Sequence, residues 1–136
     1  MQAQSPQSIK VLTSEDVVSI RQLVRKSSLL LGFSIVDQTK IVTAASELAR
    51  NLLDYGGGGT ASVEVVHSGS RSGLRLTFED RGPGIADIDL ALKDGYTTGS
   101  GMGLGLGGAK RLSHEFQIQS ALGEGTRVSI VRWKGP

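Results

Sequence analysis

Phe78 to Gly108 reads FEDRGPGIADIDLALKDGYTTGSGMGLGLGG, and its reading decides the fold: one acidic residue and two glycine clusters stand on either side of a short helical segment. In the run Leu74-Arg75-Leu76-Thr77-Phe78-Glu79-Asp80 a period of two places Leu74, Leu76, Phe78 and Asp80 on one face of a strand. Asp80 therefore points toward the core. An ionised carboxylate on an apolar face is costly unless it is paired or hydrogen-bonded, so a buried donor is expected beside it. The following Arg81-Gly82-Pro83-Gly84 is a turn whose glycines tolerate positive φ and leave no Cβ in a ligand's way. A strand that ends in a buried acceptor beside bare backbone suits a flat heterocycle carrying an exocyclic amine, as in a nucleotide base.

The second cluster, Gly99 to Gly108, runs into Ala109-Lys110-Arg111-Leu112-Ser113-His114-Glu115, which is expected to be helical. Free amides at a helix start can hold phosphate oxygens. A flexible linker is the bland alternative, but linkers seldom interleave Met and Leu with Gly as this cluster does, which favours a shaped loop.

A chain of 136 residues fits one domain, with residues 1–8 expected to be a disordered tail and residues 9–136 a single domain. The 38% hydrophobic and 21% charged content is globular, and no apolar run approaches the ~20 residues that span a bilayer, so no membrane partner is expected. Met1 to Ser8 lacks the basic and apolar regions of a signal peptide, which leads to an expectation of cytoplasmic location. Without Cys, disulfides, thiolate metal sites and a cysteine nucleophile drop out. A formal charge of +2 with 4% aromatic residues gives no basic stripe or stacking platform for nucleic acid. Only His67 and His114 are present, so a metal site made of protein ligands alone is not expected.

In chain order, Ile9 to Thr13 is a strand candidate, and Ser14 with Glu15 and Asp16 caps a helix that should end at Gly32. Val17, Ile20, Val24 and Leu31 form its apolar stripe, and Arg21, Arg25 and Lys26 read as a solvated face. Ser34 with Asp37 opens a longer helix that should run to Asp54 or Tyr55, stopped by Gly56-Gly57-Gly58-Gly59. Ile41, Ala45, Leu48 and Leu52 form its buried stripe, and Glu47 and Asn51, spaced i and i+4, stack along one edge of it. A carboxylate and an amide oxygen with one wet side suit a hard cation such as Mg²⁺ when phosphates complete its shell, although spacing alone would favour two ordinary exposed residues.

Ser62 to His67 and Leu74 to Asp80 form one expected antiparallel hairpin, and Phe116 to Ser120 with Arg127 to Trp133 form another across Gly123-Glu124-Gly125-Thr126. Strands joined by tight turns with helices between them predict an α+β fold, a two-layer sandwich whose mainly antiparallel mixed sheet is covered by helices on one face. Competing glycine motifs fail on context. Gly103, Gly105 and Gly108 satisfy G-x-G-x-x-G but follow no strand, and Gly108 is followed by Ala109 before Lys110, so no Walker loop forms.

Four boxes in register, Glu47 to Asn51, Asp80 to Ile85, Gly99 to Gly105 and Gly123 to Thr126, resemble the GHKL (Bergerat-type) ATP-binding fold shared by gyrase, histidine kinases and MutL. The likeness spans about Ile9 to Trp133, and within that superfamily the Ser46 to Asn51 box and the Ala109 to Leu112 close of the lid are most similar to switch kinases of the RsbT type and their anti-sigma-factor kinase relatives.

The resemblance implies that Glu47 acts as base, Asn51 binds Mg²⁺, Asp80 reads the adenine amine, and Thr126 supports Asp80 through water. It places Gly82 and Gly84 along the base, and Gly99, Gly101, Gly103, Leu104 and Gly105 over the phosphates of ATP, with Lys110 as a phosphate contact. It further implies a serine/threonine kinase acting on a STAS-domain partner, of the stressosome or anti-anti-sigma type, with a PP2C-like phosphatase as a second partner. An anti-sigma factor that binds a sigma subunit and a non-catalytic ATP-sensing module are the other classes left open. Histidine autophosphorylation is disfavoured, because neither histidine stands in a separate phosphoacceptor helix pair.

Overall fold

The computed structural model describes residues 2–3, 6–92 and 106–135. Chain order is β1 (Gln2–Ala3), β2 (Gln7–Val11), α1 (Ser14–Leu31), α2 (Ile35–Asp54), β3 (Gly59–Ser68), β4 (Arg71–Asp80), α3 (Ile88–Ala91), α4 (Leu106–Arg111), β5 (Glu115–Ser120) and β6 (Thr126–Trp133). The two expected hairpins are present, β3 with β4 and β5 with β6, and β4 against β6 joins them into one sheet ordered β1-β3-β4-β6-β5, with β2 also on β3. Every ladder among the described strands is antiparallel.

The period of two does what the sequence requires of it. Ala61, Val63, Leu74, Leu76, Phe78, Val128 and Ile130 are buried on one face of the sheet, beneath the helices. The opposite face carries Thr77, Gln117 and Ser129 together with an Arg75–Glu64 ion pair of 3.1 Å. That face is largely polar, as in antiparallel sheets that meet water on one side, but it also carries a small buried cluster of Val66, Val131 and Trp133.

α1 begins in a capping box, but the cap is Thr13 rather than Ser14. Thr13 is extended, and the Asp16 carboxylate accepts its amide at 3.0 Å while Thr13 Oγ1 accepts the Asp16 amide at 3.3 Å. Asp16 stands three residues after Thr13, which is the spacing the box needs. The helix stops at Gly32, whose φ of 92° lets its amide reach back to the Ser28 and Leu29 carbonyls. Ser28 completes the buried stripe of Val17, Ile20 and Val24 in place of Leu31, which is only partly buried. α2 is capped by Ser34 as expected, and it buries Val42, Ala44 and Ala49 in addition to the four stripe residues. Its three buried alanines leave room for α1 to lie close against it, so the covered face is broader than a single stripe.

Two expectations at the chain's edges are corrected. Residues expected to lie in a tail through Ser8 instead extend the sheet, with Gln2 and Ala3 paired to His67 and Val66, and Gln7 and Ser8 paired to Val63 and Ser62. Main-chain hydrogen bonding to an open edge needs no apolar pattern, which is why a polar segment can join. The helix expected to continue to Glu115 ends at Arg111, and Glu115 already belongs to β5. His114 sits between them, not on a helix, and its Nδ1 accepts the Trp133 amide at 2.8 Å. Burial holds its pKa below the usual histidine value, consistent with a neutral ring that accepts.

Candidate functional site

Where α2, the end of β4 and the start of β6 meet, they enclose a cavity of about 380 Å³, within the range of small-ligand sites. Leu48, Leu52, Phe78, Ile85, Leu90, Ala91, Leu106 and Val128 give it a mostly apolar lining. Its polar groups include Asn51 and Tyr55 from α2, Asp80 from β4 and Thr126 from β6. A slot with apolar walls and few polar groups accepts a flat ring and orients it by its edge.

Asp80 is the last residue of β4 and is half-buried at the rim of the core. Its Oδ1 accepts the Gly82 amide at 2.8 Å, which supplies the donor the sequence required. Thr126 is the cross-strand partner of Asp80 in the β4–β6 ladder, so an acid and a hydroxyl face the cavity side by side. Gly84 lines the cavity at a φ of 78°, and a Cβ there would come within 2.0 Å of the Ala121 carbonyl oxygen. Only glycine fits such a position.

Gly82 departs from its expected place along the ligand. It is not among the cavity-lining residues; it lies against the end of α2, where a Cβ would stand 2.8 Å from the Gly56 Cα. Its amide nevertheless fixes Asp80, so its part in the site is to hold the acid. Asn51 lines the cavity and is half-buried, whereas Glu47 is exposed and outside the lining. At 3.6 residues per turn, four residues advance about 400°, so Glu47 stands one turn away and about 40° round the helix from Asn51. Lys110 is exposed on α4 and does not reach the cavity, although Leu106 of the same helix does. Gly99, Gly101, Gly103, Leu104 and Gly105 lie outside the described residues.

Two residues of the site were not anticipated. Tyr55, at the C-cap of α2, lines the cavity, and its place after a helix and before four glycines was the available signal. Ser120, the last residue of β5, accepts the Ile85 amide at 2.8 Å, donates to the Gly125 carbonyl at 2.9 Å and meets Thr126 Oγ1 at 2.8 Å. No sequence signal marks it.

With this geometry in place, comparison with known proteins is informative. The family model described as histidine kinase-, DNA gyrase B-, and HSP90-like ATPase matches residues 36–135. The chain belongs to that ATPase family. Within it, the chain is 45% identical over 125 residues to the Serine/threonine-protein kinase RsbT of Bacillus subtilis (strain 168), covering 92% of this chain and 94% of that protein. It is also similar in fold to a solved structure of the RsbU and RsbW domains of a Mycobacterium tuberculosis protein, with a TM-score of 0.67 and 22% identity. That match covers 98% of this chain and spans 34% of the longer one. The α+β sandwich read from the strand pattern is therefore the fold of this ATPase family.

Proposed function

We propose that the chain is an ATP-dependent protein serine/threonine kinase that works as a switch in sigma-factor regulation, with Asp80 and Thr126 at the base of the nucleotide and Asn51 and Glu47 at its phosphates. The observation that carries this reading is the juxtaposition of Asp80 and Thr126 across the ladder, at the mouth of an apolar slot that Asn51 also lines. The chain is a protein kinase in the sense that its relative of 45% identity is one.

In this reading the Asp80 carboxylate accepts the adenine amine, and the Gly82 amide keeps it aimed. Asn51, which lines the cavity, would offer its amide oxygen to Mg²⁺, a hard cation that accepts oxygen donors. The ion, when bound, neutralises charge on the phosphates. Glu47 takes the proton of the attacking hydroxyl as oxygen bonds to the γ-phosphorus, and ADP leaves with the bridging oxygen. Its exposure supports that role, because the acceptor serine or threonine stands on another protein and must approach from solvent. Lys110, exposed on α4 and outside the cavity lining, is the weakest of the proposed phosphate contacts. The partner is a STAS-domain protein, and a PP2C-like phosphatase is the second partner of the switch.

Incubating the protein with Mg²⁺, γ-labelled ATP and candidate STAS domains tests this. Label should appear on a serine or threonine of one of them. ATP binding without transfer to any STAS domain, together with capture of a sigma factor, would make the chain an anti-sigma factor instead.

A further inference from the structure

Ser120 lies on β5, outside the lining of the cavity, yet it touches three pieces of the site at once. We infer that Ser120 is a positioning residue for base recognition, which fixes the direction of the Thr126 hydroxyl so that Thr126 presents only lone pairs to a 6-aminopurine. The inference rests on the nucleotide reading of the cavity proposed above.

The argument is an allocation of protons. Ser120 has one hydroxyl proton and two acceptor positions. The Ile85 N–H can only donate, so it takes one acceptor position. The Gly125 carbonyl can only accept, and Gly125 is buried, so it takes the Ser120 proton. The remaining contact, 2.8 Å from Thr126 Oγ1, then has Thr126 as donor. With its proton spent on Ser120, Thr126 can only accept from the cavity. The reverse allocation would leave the Gly125 carbonyl without that donor, which is unfavourable for a polar group withdrawn from water.

Beside the Asp80 carboxylate this makes two acceptors in a row, which suit the amine of a 6-aminopurine and a water donating to Thr126 and the ring nitrogen. A 6-oxopurine brings an acceptor to the same place and is rejected. The same serine holds the wall of the slot in place. It ties Ile85 to β5, next to a second tie in which the Gly123 amide donates to the Pro83 carbonyl at 2.8 Å.

Equilibrium titration of the full chain with Mg-ATP and Mg-ITP tests this, because a merely structural role moves both alike. Wild type should bind ATP more tightly than ITP. In Ser120→Ala the Thr126 hydroxyl is free to turn and donate to a 6-oxo group, so ATP affinity should fall about tenfold and ITP affinity by about threefold or less. Ser120→Thr, which keeps the hydroxyl, should hold the ATP-to-ITP ratio within about twofold of wild type. Adding Thr126→Val to Ser120→Ala should narrow the ratio no further, since the two act as one unit. An unchanged ratio in Ser120→Ala overturns the inference while leaving the nucleotide site standing. Equal binding of ATP and ITP by wild type overturns the inference as well, whereas failure of wild type to bind either nucleotide overturns the nucleotide reading itself. If Ser120→Ala does not fold, Ser120→Cys, a weak donor of similar size, is read by the same criterion.

Discussion

The two ends of the cavity are built in different ways. At the Asp80 end several groups are held by a neighbour: Gly82 fixes the carboxylate, Ser120 engages Thr126 and the Ile85 amide, and the Pro83 carbonyl accepts from Gly123. At the other end α2 offers Asn51 half-buried and Glu47 exposed to solvent. A preformed end loses little freedom when a ligand arrives, whereas an open end can admit a second protein and be completed by it. The difference implies that recognition of the nucleotide and transfer from it can be separated by mutation.

The largest separation should come from Glu47→Ala. Removing a general base lowers transfer by ~10² to 10⁴, while an exposed residue outside the cavity lining contributes little to nucleotide binding. Single-turnover transfer to a confirmed partner, set beside calorimetric titration with an ATP analogue, measures both. Full transfer by Glu47→Ala would remove Glu47 from the chemistry.

At the rigid end the effect should reverse in kind. Asp80→Asn keeps size but exchanges a charged acceptor for an amide, losing a charge-assisted hydrogen bond worth about 1.5–3 kcal/mol, and thus roughly ten- to a hundredfold in ATP affinity. Normal ATP binding by this variant would break the comparison at its firmer side. Back at the α2 end, Asn51→Ala is expected to have a smaller effect, weakening Mg-ATP by about tenfold while leaving adenosine binding nearly unchanged. Equal loss of adenosine would make Asn51 part of the wall rather than a cation ligand.

The firm end was the more legible in sequence, and the reason is physical. Alternation along Leu74, Leu76, Phe78 and Asp80 is a local property of a strand with one buried face, so it delivers the acid to the core side whatever the rest of the chain does. The i, i+4 spacing of Glu47 and Asn51 is likewise local, but it cannot say which of the two dips into a cavity, because that depends on how α2 is rotated against the sheet. Ser120 was illegible for a different reason. Its partner amide at Ile85 is 35 residues away, and only the docking of two turns brings them together. The tail residues that joined β3 were hidden because edge pairing uses the main chain, which carries no side-chain pattern.

The smallest effect on the site should come from the far end of α2, which tests whether the rigid end is rigid by itself. There Asp37 Oδ1 accepts from Arg132 Nε at 3.2 Å and also from Nη2, while Arg132 Nη1 donates to the Leu112 carbonyl at 2.8 Å. The Arg132 hydrogen bond holds the Asp37 carboxyl below its ordinary value of 3.8, against a smaller opposing push from burial. A carboxylate whose folded pKa is depressed stabilises the fold above its unfolded value and loses that stabilisation as pH falls toward the folded value. Wild type should therefore lose thermal stability below about pH 4, and Asp37→Asn should show a shallower acid slope from a lower starting Tm. At neutral pH the variant leaves Arg132 buried without its anion, at a cost of about 1–3 kcal/mol of stability, with no charge altered near Asp80. Its ATP affinity and ATP-to-ITP ratio, measured well below Tm, should stay within about twofold of wild type. A large drop in ATP affinity would mean that the base end borrows its order from the Asp37–Arg132 pair, and the contrast between the two ends of the cavity would have to be redrawn along the whole length of α2.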